Sequence, residues 1–261
     1  MKAVITYVHH NCFILKDSSR TFLFDYPDDR FLTPRMREVV TNGLRGSKAF
    51  VFASHSHQDH FNPKLMDLAE TTSQATFILS EDIVERHPRF GKVENCIIIK
   101  PSKTYELEKI QINSFPSNDL GVAYLIQSGD RTVYFGGDLA KWSWDDFTPR
   151  ERHWMEKHFQ NTIETLAKYR IDIAFENTDP RLPNWAGAAE FIQTVKPKLF
   201  VPMHAFGDLH SLKGFVKDLG RTESEIFQYH ETGDRIDLRH QGMVNLTAEV
   251  TDSDDLSSDT E

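Results

Sequence analysis

Four side chains that can bind a metal ion lie within six residues, and this stretch constrains the fold more than any other part of the chain. Residues 53–61 read Ala-Ser-His-Ser-His-Gln-Asp-His-Phe and follow the apolar run Ala49–Ala53, which is typical of a buried strand. Asn62 can then cap a helix with Pro63 at its first position. The pattern therefore predicts a strand, a loop that carries the histidines, and a helix.

The spacing within this loop favours metal binding. Residues two apart in an extended segment point to the same side, so the imidazoles of His55 and His57 can bind one cation. Asp59 and His60 follow as the chain turns, and they can face a second cation. Imidazole and carboxylate suit zinc, manganese or iron, and the lack of thiolates argues against a closed structural zinc site. The alternative is a polar loop rich in histidine by chance, since the chain has 12 histidines. The ordered set of four instead favours a site for one or two divalent ions.

The His-x-His-x-Asp-His pattern resembles the signature of the metallo-β-lactamase superfamily, hydrolases with an α/β, four-layer αββα sandwich. The resemblance spans roughly residues 3–240, and it also implies a bridging carboxylate and a late histidine, each after its own strand. Asp138 follows the strand-like run Arg131–Phe135 and two glycines that permit a tight turn. His204 follows the run Leu199–Met203, and Val-Pro-Met-His is similar to a segment in relatives of L-ascorbate-6-phosphate lactonase.

One position departs from the pattern of this superfamily. The resemblance implies a further histidine for the first cation within residues 114–121, but this region contains none. Three alternatives are open: Asp119 or Asn118 supplies an oxygen, the first site is weak or absent, or another histidine approaches from elsewhere. An oxygen ligand would shift the preference from zinc toward manganese or iron, and the charged Asp119 is the better candidate. We expect a changed site rather than a lost one, because the other implied ligands are present: His55, His57, Asp59, His60, Asp138 and His204.

Four further side chains are candidates for contact with a substrate. His10 precedes Cys12 and is similar to a histidine near the active-site mouth of lactonase-like relatives; otherwise it is a turn residue. Trp142 and Trp144 follow Asp138 closely, so they either wall a pocket or pack beneath the next helix. Arg181 lies in a polar loop after a buried strand, where it either binds an anionic group of the substrate or is a solvated surface arginine.

Length and composition favour one domain in residues 1–250, because no Pro/Gly/Ser-rich linker divides the chain. Residues 251–261 are too polar and acidic to fold, and a mobile tail is expected there. The net charge of −9 argues against nucleic acid as a partner. Two cysteines, no signal-peptide pattern and no apolar run long enough to span a membrane favour the cytoplasm. The sequence does not decide between a monomer and a homo-oligomer.

The resemblance implies a metal-dependent hydrolase that acts on a small substrate, which we expect to be an anionic ester, lactone or phosphodiester. A water activated by the metal would attack, with Asp59 as the catalytic residue that positions it. Two alternatives stay open, a metal-dependent nuclease of the same superfamily and a metal-binding scaffold or sensor without turnover. The fold cannot decide among them.

Overall fold

The computed structural model describes residues 3–239 and 242–246, with the backbone alone for 239 and 242–246. The described strands are β1 (Ala3–His9), β2 (Cys12–Asp17), β3 (Thr21–Phe24), β4 (Lys48–Ala53), β5 (Gln74–Ser80), β6 (Cys96–Ile99), β7 (Thr104–Leu107), β8 (Ile110–Pro116), β9 (Val122–Ser128), β10 (Arg131–Phe135), β11 (Ile173–Asn177), β12 (Leu199–Met203), β13 (Glu225–Ile226), β14 (Arg235–Arg239) and β15 (Gly242–Leu246). The α-helices are α1 (Pro34–Leu44), α2 (Glu81–Arg86), α3 (Pro149–Leu166), α4 (Ala188–Val195) and α5 (Leu212–Leu219). Short 3₁₀ helices cover Asp29–Phe31, Leu65–Thr71, Pro88–Lys92 and Trp185–Gly187. The predicted tail, residues 251–261, lies outside the described residues.

The strands form two sheets. The first has the order β15-β14-β1-β2-β3-β4-β5-β6, and the second has the order β13-β12-β11-β10-β9-β8-β7. From β3 to β6 and from β10 to β13 neighbouring strands are parallel, whereas the other pairs are antiparallel. Parallel pairs need crossover connections, which here carry the helices. Each sheet therefore combines a hairpin-connected half with a parallel half.

The core lies between the two sheets and is rich in aromatic residues. Phe24 of the first sheet stacks on Phe135 of the second, with ring centroids 4.6 Å apart. On the outer face of the first sheet, Val40 and Leu44 of α1 belong to a separate apolar cluster, and on the outer face of the second sheet Phe159 of α3 belongs to another. The predicted four-layer αββα sandwich is confirmed. Within the described part of the chain, no helix has the length and hydropathy that crossing a bilayer requires.

The carboxyl ends of the parallel strands meet at one edge of the sandwich, and the loops that leave them carry most of the predicted ligands. β4 leads into the histidine loop, β10 into Asp138 and β12 into His204. All three strands end at this edge, β4 in the first sheet and β10 and β12 in the second, so the loops that leave them meet there. The fold thus converts three segments that are distant in sequence into one site.

The predicted helix after the histidine loop is wrong in type and in its first residue. Asn62 does not cap a helix: its side-chain oxygen accepts from the Lys64 backbone N–H, and its amide donates to the Pro27 carbonyl. A 3₁₀ helix follows over Leu65–Thr71, and Leu65 is buried there. The Asn62 oxygen thus stabilises a turn at Lys64, and the helix begins at Leu65 rather than at Pro63. By contrast, α3 begins at Pro149 with a capping box formed by Thr148 and Glu151.

Candidate metal centre

Two groups of ligand atoms lie side by side at this edge. One consists of His55, His57, Asp119 and Asp138, and the other consists of His10, His60 and His204; within each group the atoms are all within 4.8 Å of one another. We call the first group site A and the second site B. Such convergence of neutral nitrogens and carboxylate oxygens is the arrangement that a divalent cation requires.

Asp138 lies between the two sites and faces both. Its Oδ2 is 3.5 Å from His55 Nε2 in site A, whereas its Oδ1 is 3.3 Å from His60 Nε2 and 3.5 Å from His204 Nε2 in site B. The two oxygens of one carboxylate therefore point to different groups of imidazoles. Asp59 belongs to the side of site B, since its Oδ2 is 3.8 Å from His60 Nε2 and 3.6 Å from His10 Nε2.

Asp119 stands where the sequence lacks the implied histidine. Its Oδ2 is 3.4 Å from His57 Nδ1, and both side chains are more than 40% exposed, in contrast to the buried remainder of the centre. Asn118 points the other way: its amide donates to the carbonyls of Ala140 and Met155, and its oxygen accepts from the Ala140 N–H. The Asn118 alternative is therefore wrong for this arrangement, because its oxygen is engaged in anchoring the loop. The histidine that comes in from elsewhere, His10, reaches site B and not site A.

Glycines allow two of the loops to close onto the histidine loop. At Gly121 a Cβ would lie 2.0 Å from the Ser54 carbonyl, and at Gly137 it would lie 2.7 Å from the Ser54 Cβ. Both glycines have positive φ, at 67° and 54°. The backbone of each loop therefore packs directly on Ser54, which brings Asp119 and Asp138 to His55.

A partner on Nδ1 orients each of three imidazoles. His60 Nδ1 is 2.8 Å from Asp25 Oδ2, and His204 Nδ1 is 3.0 Å from Asp179 Oδ2. His55 Nδ1 is 3.0 Å from Ser54 Oγ, whose own proton goes to Asp25 Oδ2 at 2.7 Å. Each partner accepts, so each Nδ1 carries a proton, and Nε2 is the nitrogen that each imidazole can offer to a cation. Carboxylate partners of this kind raise the basicity of a ligating imidazole.

The charges of the centre shift its pKa values in opposite directions. Burial lowers the pKa of His60, but the carboxylates of Asp138 and Asp25 outweigh it, so the pKa of His60 lies well above its usual value. The pKa of His204 is raised as well, because Asp138 and Asp179 outweigh burial. For Asp138 burial acts in the other direction and would raise the pKa, but the facing imidazoles hold this pKa well below its usual value. In the metal-free protein, the protonated imidazoles of His60 and His204 thus supply positive charge beside Asp138.

The backbone around the centre is strained at residues other than glycine. His10, Asp25, His204 and Phe206 all have φ between 42° and 66°. This left-handed conformation costs about 1–2 kcal/mol for a residue with a Cβ, and such strain clusters at functional sites. Three of these four residues place a polar side chain in the centre or against it.

The predicted substrate-binding tryptophans lie at the mouth of the centre. A cleft of about 150 Å³ is lined by Asp119, Asp138, Trp142, Trp144, Phe147, Met155 and His204. The Trp142 indole N–H donates to the main-chain carbonyl of Asp138 at 2.9 Å, so Trp142 both walls the cleft and holds the backbone that carries this carboxylate. Trp144 stacks on Trp142 with ring centroids 5.8 Å apart.

Arg181 lies at the rim of this cleft. Its guanidinium is 5.0 Å from the centroid of the Trp144 ring and 4.5 Å from that of Phe206. Two of its nitrogens, Nε and Nη2, bind the buried carboxylate of Asp179, the partner of His204. The side chain is 52% exposed, so its remaining donors face solvent at the mouth.

These residues fit a pair of divalent cations. The buried His60 Nε2 makes no hydrogen bond, although it lies among carboxylates, and a polar atom buried without a partner is costly unless a ligand satisfies it. Site A offers two imidazoles and two carboxylates, and site B offers three imidazoles with Asp59 and the shared Asp138 beside them. Nitrogen and oxygen donors without thiolate suit zinc, manganese and iron.

A family profile described as "Beta-lactamase superfamily domain" matches residues 4–151, more than half of the chain. The chain belongs to the beta-lactamase superfamily. Membership confirms the predicted class, a metal-dependent hydrolase of this fold, and leaves the substrate and the metal unassigned. No functionally curated protein matches the sequence.

Several solved structures share this fold. Igni18, a metallo hydrolase from the archaeon Ignicoccus hospitalis, is 15% identical with a TM-score of 0.66 over 92% of this chain and 100% of its own. A possible metal-dependent hydrolase from Veillonella parvula is 13% identical with a TM-score of 0.62 over 90% and 99%. CmlA, a diiron beta-hydroxylase from Streptomyces venezuelae, is 16% identical with a TM-score of 0.55 over 91% of this chain and 54% of its own. At these identities the likeness concerns the fold alone.

The residues that orient the candidate ligands were not predicted from the sequence. Asp25 and Asp179 each follow the end of a strand, and that position was the available signal. Two asparagines also hold the loop of Asp138: Asn177 donates to the Gly137 carbonyl at 2.8 Å, and Asn11 donates to the same carbonyl at 3.2 Å. Nothing in the local sequence of either asparagine indicates this role.

Proposed function

We propose that this protein is a metal-dependent hydrolase of a small anionic ester, lactone or phosphodiester. Its substrate class would then resemble that of the lactonase-like branch of the superfamily more than that of its nucleases. The observation that carries the proposal is the convergence of sites A and B on the two oxygens of Asp138. Divalent cations held there would activate a water for attack and stabilise the negative charge that develops on the substrate.

The protein's own residues divide the remaining work. His55, His57, Asp119 and Asp138 would hold one cation, and Asp59, His60, His204 and Asp138 the other. Asp59 is the most accessible side chain of site B at 22%, which supports a second role in orienting the attacking water as a hydrogen-bond acceptor. Asp25, Ser54 and Asp179 keep the ligand nitrogens deprotonated toward the centre.

The cleft supports a small substrate with a negative charge. Its volume of about 150 Å³ admits a small molecule, and its apolar wall of Trp142, Trp144 and Phe147 would pack against the substrate body. The exposed donors of Arg181 would bind a carboxylate or phosphate group that projects toward the rim. Arg181 is preorganised for this by its aromatic neighbours and by Asp179.

The net charge of −9 and the unpaired thiols of Cys12 and Cys96 support a small-molecule substrate and a reducing compartment over nucleic acid or an oxidising one. The test is turnover by protein loaded with zinc, manganese or iron on lactones, chromogenic phosphodiesters and single-stranded oligonucleotides. The double variant His57→Ala, Asp138→Ala, loaded in parallel, is the control. We expect turnover of anionic lactones or phosphodiesters that the double variant loses. Salt-sensitive cleavage of oligonucleotides would favour a nuclease, and silence on every compound would favour a scaffold or sensor.

A further inference from the structure

His10 is the third imidazole of site B, yet its hydrogen bonds differ from those of the other buried imidazoles of the centre. It lies in the tight turn between β1 and β2, is fully buried, and has φ of 50°. Its ring is 4.4 Å from that of His204 and 5.1 Å from that of His60. Its Nε2 is directed into site B and makes no hydrogen bond.

The partner of His10 Nδ1 is a donor. The Phe206 backbone N–H donates to His10 Nδ1 at 3.4 Å. His55, His60 and His204, in contrast, all have acceptors at Nδ1. A proton on His10 Nδ1 would face the Phe206 N–H directly, so this nitrogen must offer its lone pair. In a neutral imidazole one nitrogen carries the proton and the other accepts, so the proton of His10 is on Nε2.

An Nε2 that carries a proton cannot ligate a cation. His10 therefore enters the centre as a hydrogen-bond donor among acceptors and ligands. Asp59 Oδ2 lies 3.6 Å from Nε2, beyond a normal hydrogen bond, and Nε2 has no other hydrogen-bond partner, so the N–H can serve another oxygen.

We propose that His10 is not a metal ligand but a catalytic hydrogen-bond donor, whose Nε2–H binds the substrate oxygen that gains negative charge beside site B. The inference rests on the proposed function for the reaction, but the position of the proton does not. The hydrogen bond is made without transfer of the proton, so His10 returns unchanged after each turnover. The loop after β12 supplies both His204 and the Phe206 amide, so the ligand and the tautomer of the donor are set by one segment.

The first test needs no substrate. Long-range ¹H–¹⁵N spectra of zinc-loaded, ¹⁵N-histidine-labelled protein report which nitrogen of each imidazole carries the proton. We expect protonated Nε2 for His10 and protonated Nδ1 for His60 and His204, and inorganic phosphate should shift the His10 Nε2–H resonance. A zinc-bound Nε2 on His10, or an Nε2–H that does not respond to saturating phosphate, would overturn the proposal.

The second test uses two variants of the whole protein. His10→Ala should retain two equivalents of zinc and bind phosphate about 10- to 100-fold more weakly, as expected for one hydrogen bond to a charged group. His10→Gln, whose amide can place an N–H near the same position, should recover part of this loss. On a substrate that the wild type turns over, kcat of His10→Ala should fall about 100- to 1000-fold, the usual effect of removing one oxyanion donor.

Loss of a metal equivalent in His10→Gln, or unchanged phosphate affinity in a folded His10→Ala, would contradict this role. Absence of turnover by the wild type on any compound would refute the proposed function instead, while the spectra and the phosphate titration would still decide the role of His10.

Discussion

Replacing Asp25 by asparagine should weaken the metal centre, because Asp25 orients the imidazole of His60. Asp25 Oδ1 accepts from the Ser54 N–H at 2.7 Å, while Oδ2 accepts from Ser54 Oγ at 2.7 Å and from His60 Nδ1 at 2.8 Å. An asparagine keeps one oxygen for the Ser54 N–H and turns an NH₂ toward His60. The Ser54 hydroxyl can rotate to accept, but a protonated His60 Nδ1 cannot.

His60 then either loses this partner or moves its proton to Nε2, where it blocks the lone pair directed at site B. Loss of such a partner typically lowers metal affinity about 10- to 100-fold, which is about 1.4–2.7 kcal/mol. Calorimetric titration of zinc into metal-free protein measures this change. Site A should be less affected, because His55 keeps Ser54 as its partner.

Asp172→Asn is the matched control, since Asp172 lies before β11, away from the ligand-bearing ends, and binds Lys198. Wild-type affinity for both ions in Asp25→Asn would refute the argument that Asp25 fixes the tautomer of His60. A loss of the same size in Asp172→Asn would show that the effect is general.

Three further predictions concern the cleft, the loops and the protons. Arg181→Met should raise KM for an anionic substrate about 10-fold and leave a neutral analogue unchanged, since one charge-assisted contact is lost; Arg150→Met, at the exposed start of α3, should change neither. Gly121→Ala should lower the melting temperature far more than Gly46→Ala. Both glycines have φ near 65°, but only at Gly121 would the new Cβ meet the Ser54 carbonyl, at 2.0 Å. Equal decreases in the melting temperature of the two variants, measured by calorimetry, would refute the close approach. Metal binding near neutral pH should release protons, because the raised pKa values of His60 and His204 keep them protonated in the metal-free protein. Titration heats that do not depend on the ionisation enthalpy of the buffer would contradict this release of protons. A histidine whose pKa is raised in the folded state stabilises the fold below its unfolded pKa of about 6.5, and this stabilisation is lost as the pH rises through the folded pKa. Metal-free protein should therefore lose stability on the alkaline side, while its affinity for metal increases.

The sequence predicted those parts of the fold and the centre that depend on local spacing. A strand, a histidine loop and two glycines before Asp138 have signatures within a few residues, and the structure places these elements together at one edge. Asp119 could be identified as a candidate ligand because the histidine that the superfamily pattern implies is missing from residues 114–121. Its role as a ligand stays a prediction.

The supporting contacts could not be predicted, because they join residues that are remote in sequence. Asp25 reaches His60 across 35 residues through the parallel register of β3 and β4, and Phe206 reaches His10 across 196 residues. The helix after the histidine loop was predicted wrongly for a local reason: the Asn62 oxygen accepts from the Lys64 N–H in a turn, and the helix begins only at Leu65.

Anomalous scattering at the metal edges, together with metal content by mass spectrometry, would show directly whether two cations share Asp138. We expect two ions per chain, one bound by His55, His57, Asp119 and Asp138, and one by Asp59, His60, His204 and Asp138. Asp119→Ala should keep only the second ion, and Asp119→His should shift the preference of the first site toward zinc. Two fully occupied sites with the Asp119 carboxylate turned away, or unchanged metal content in the His57→Ala, Asp138→Ala double variant, would contradict it.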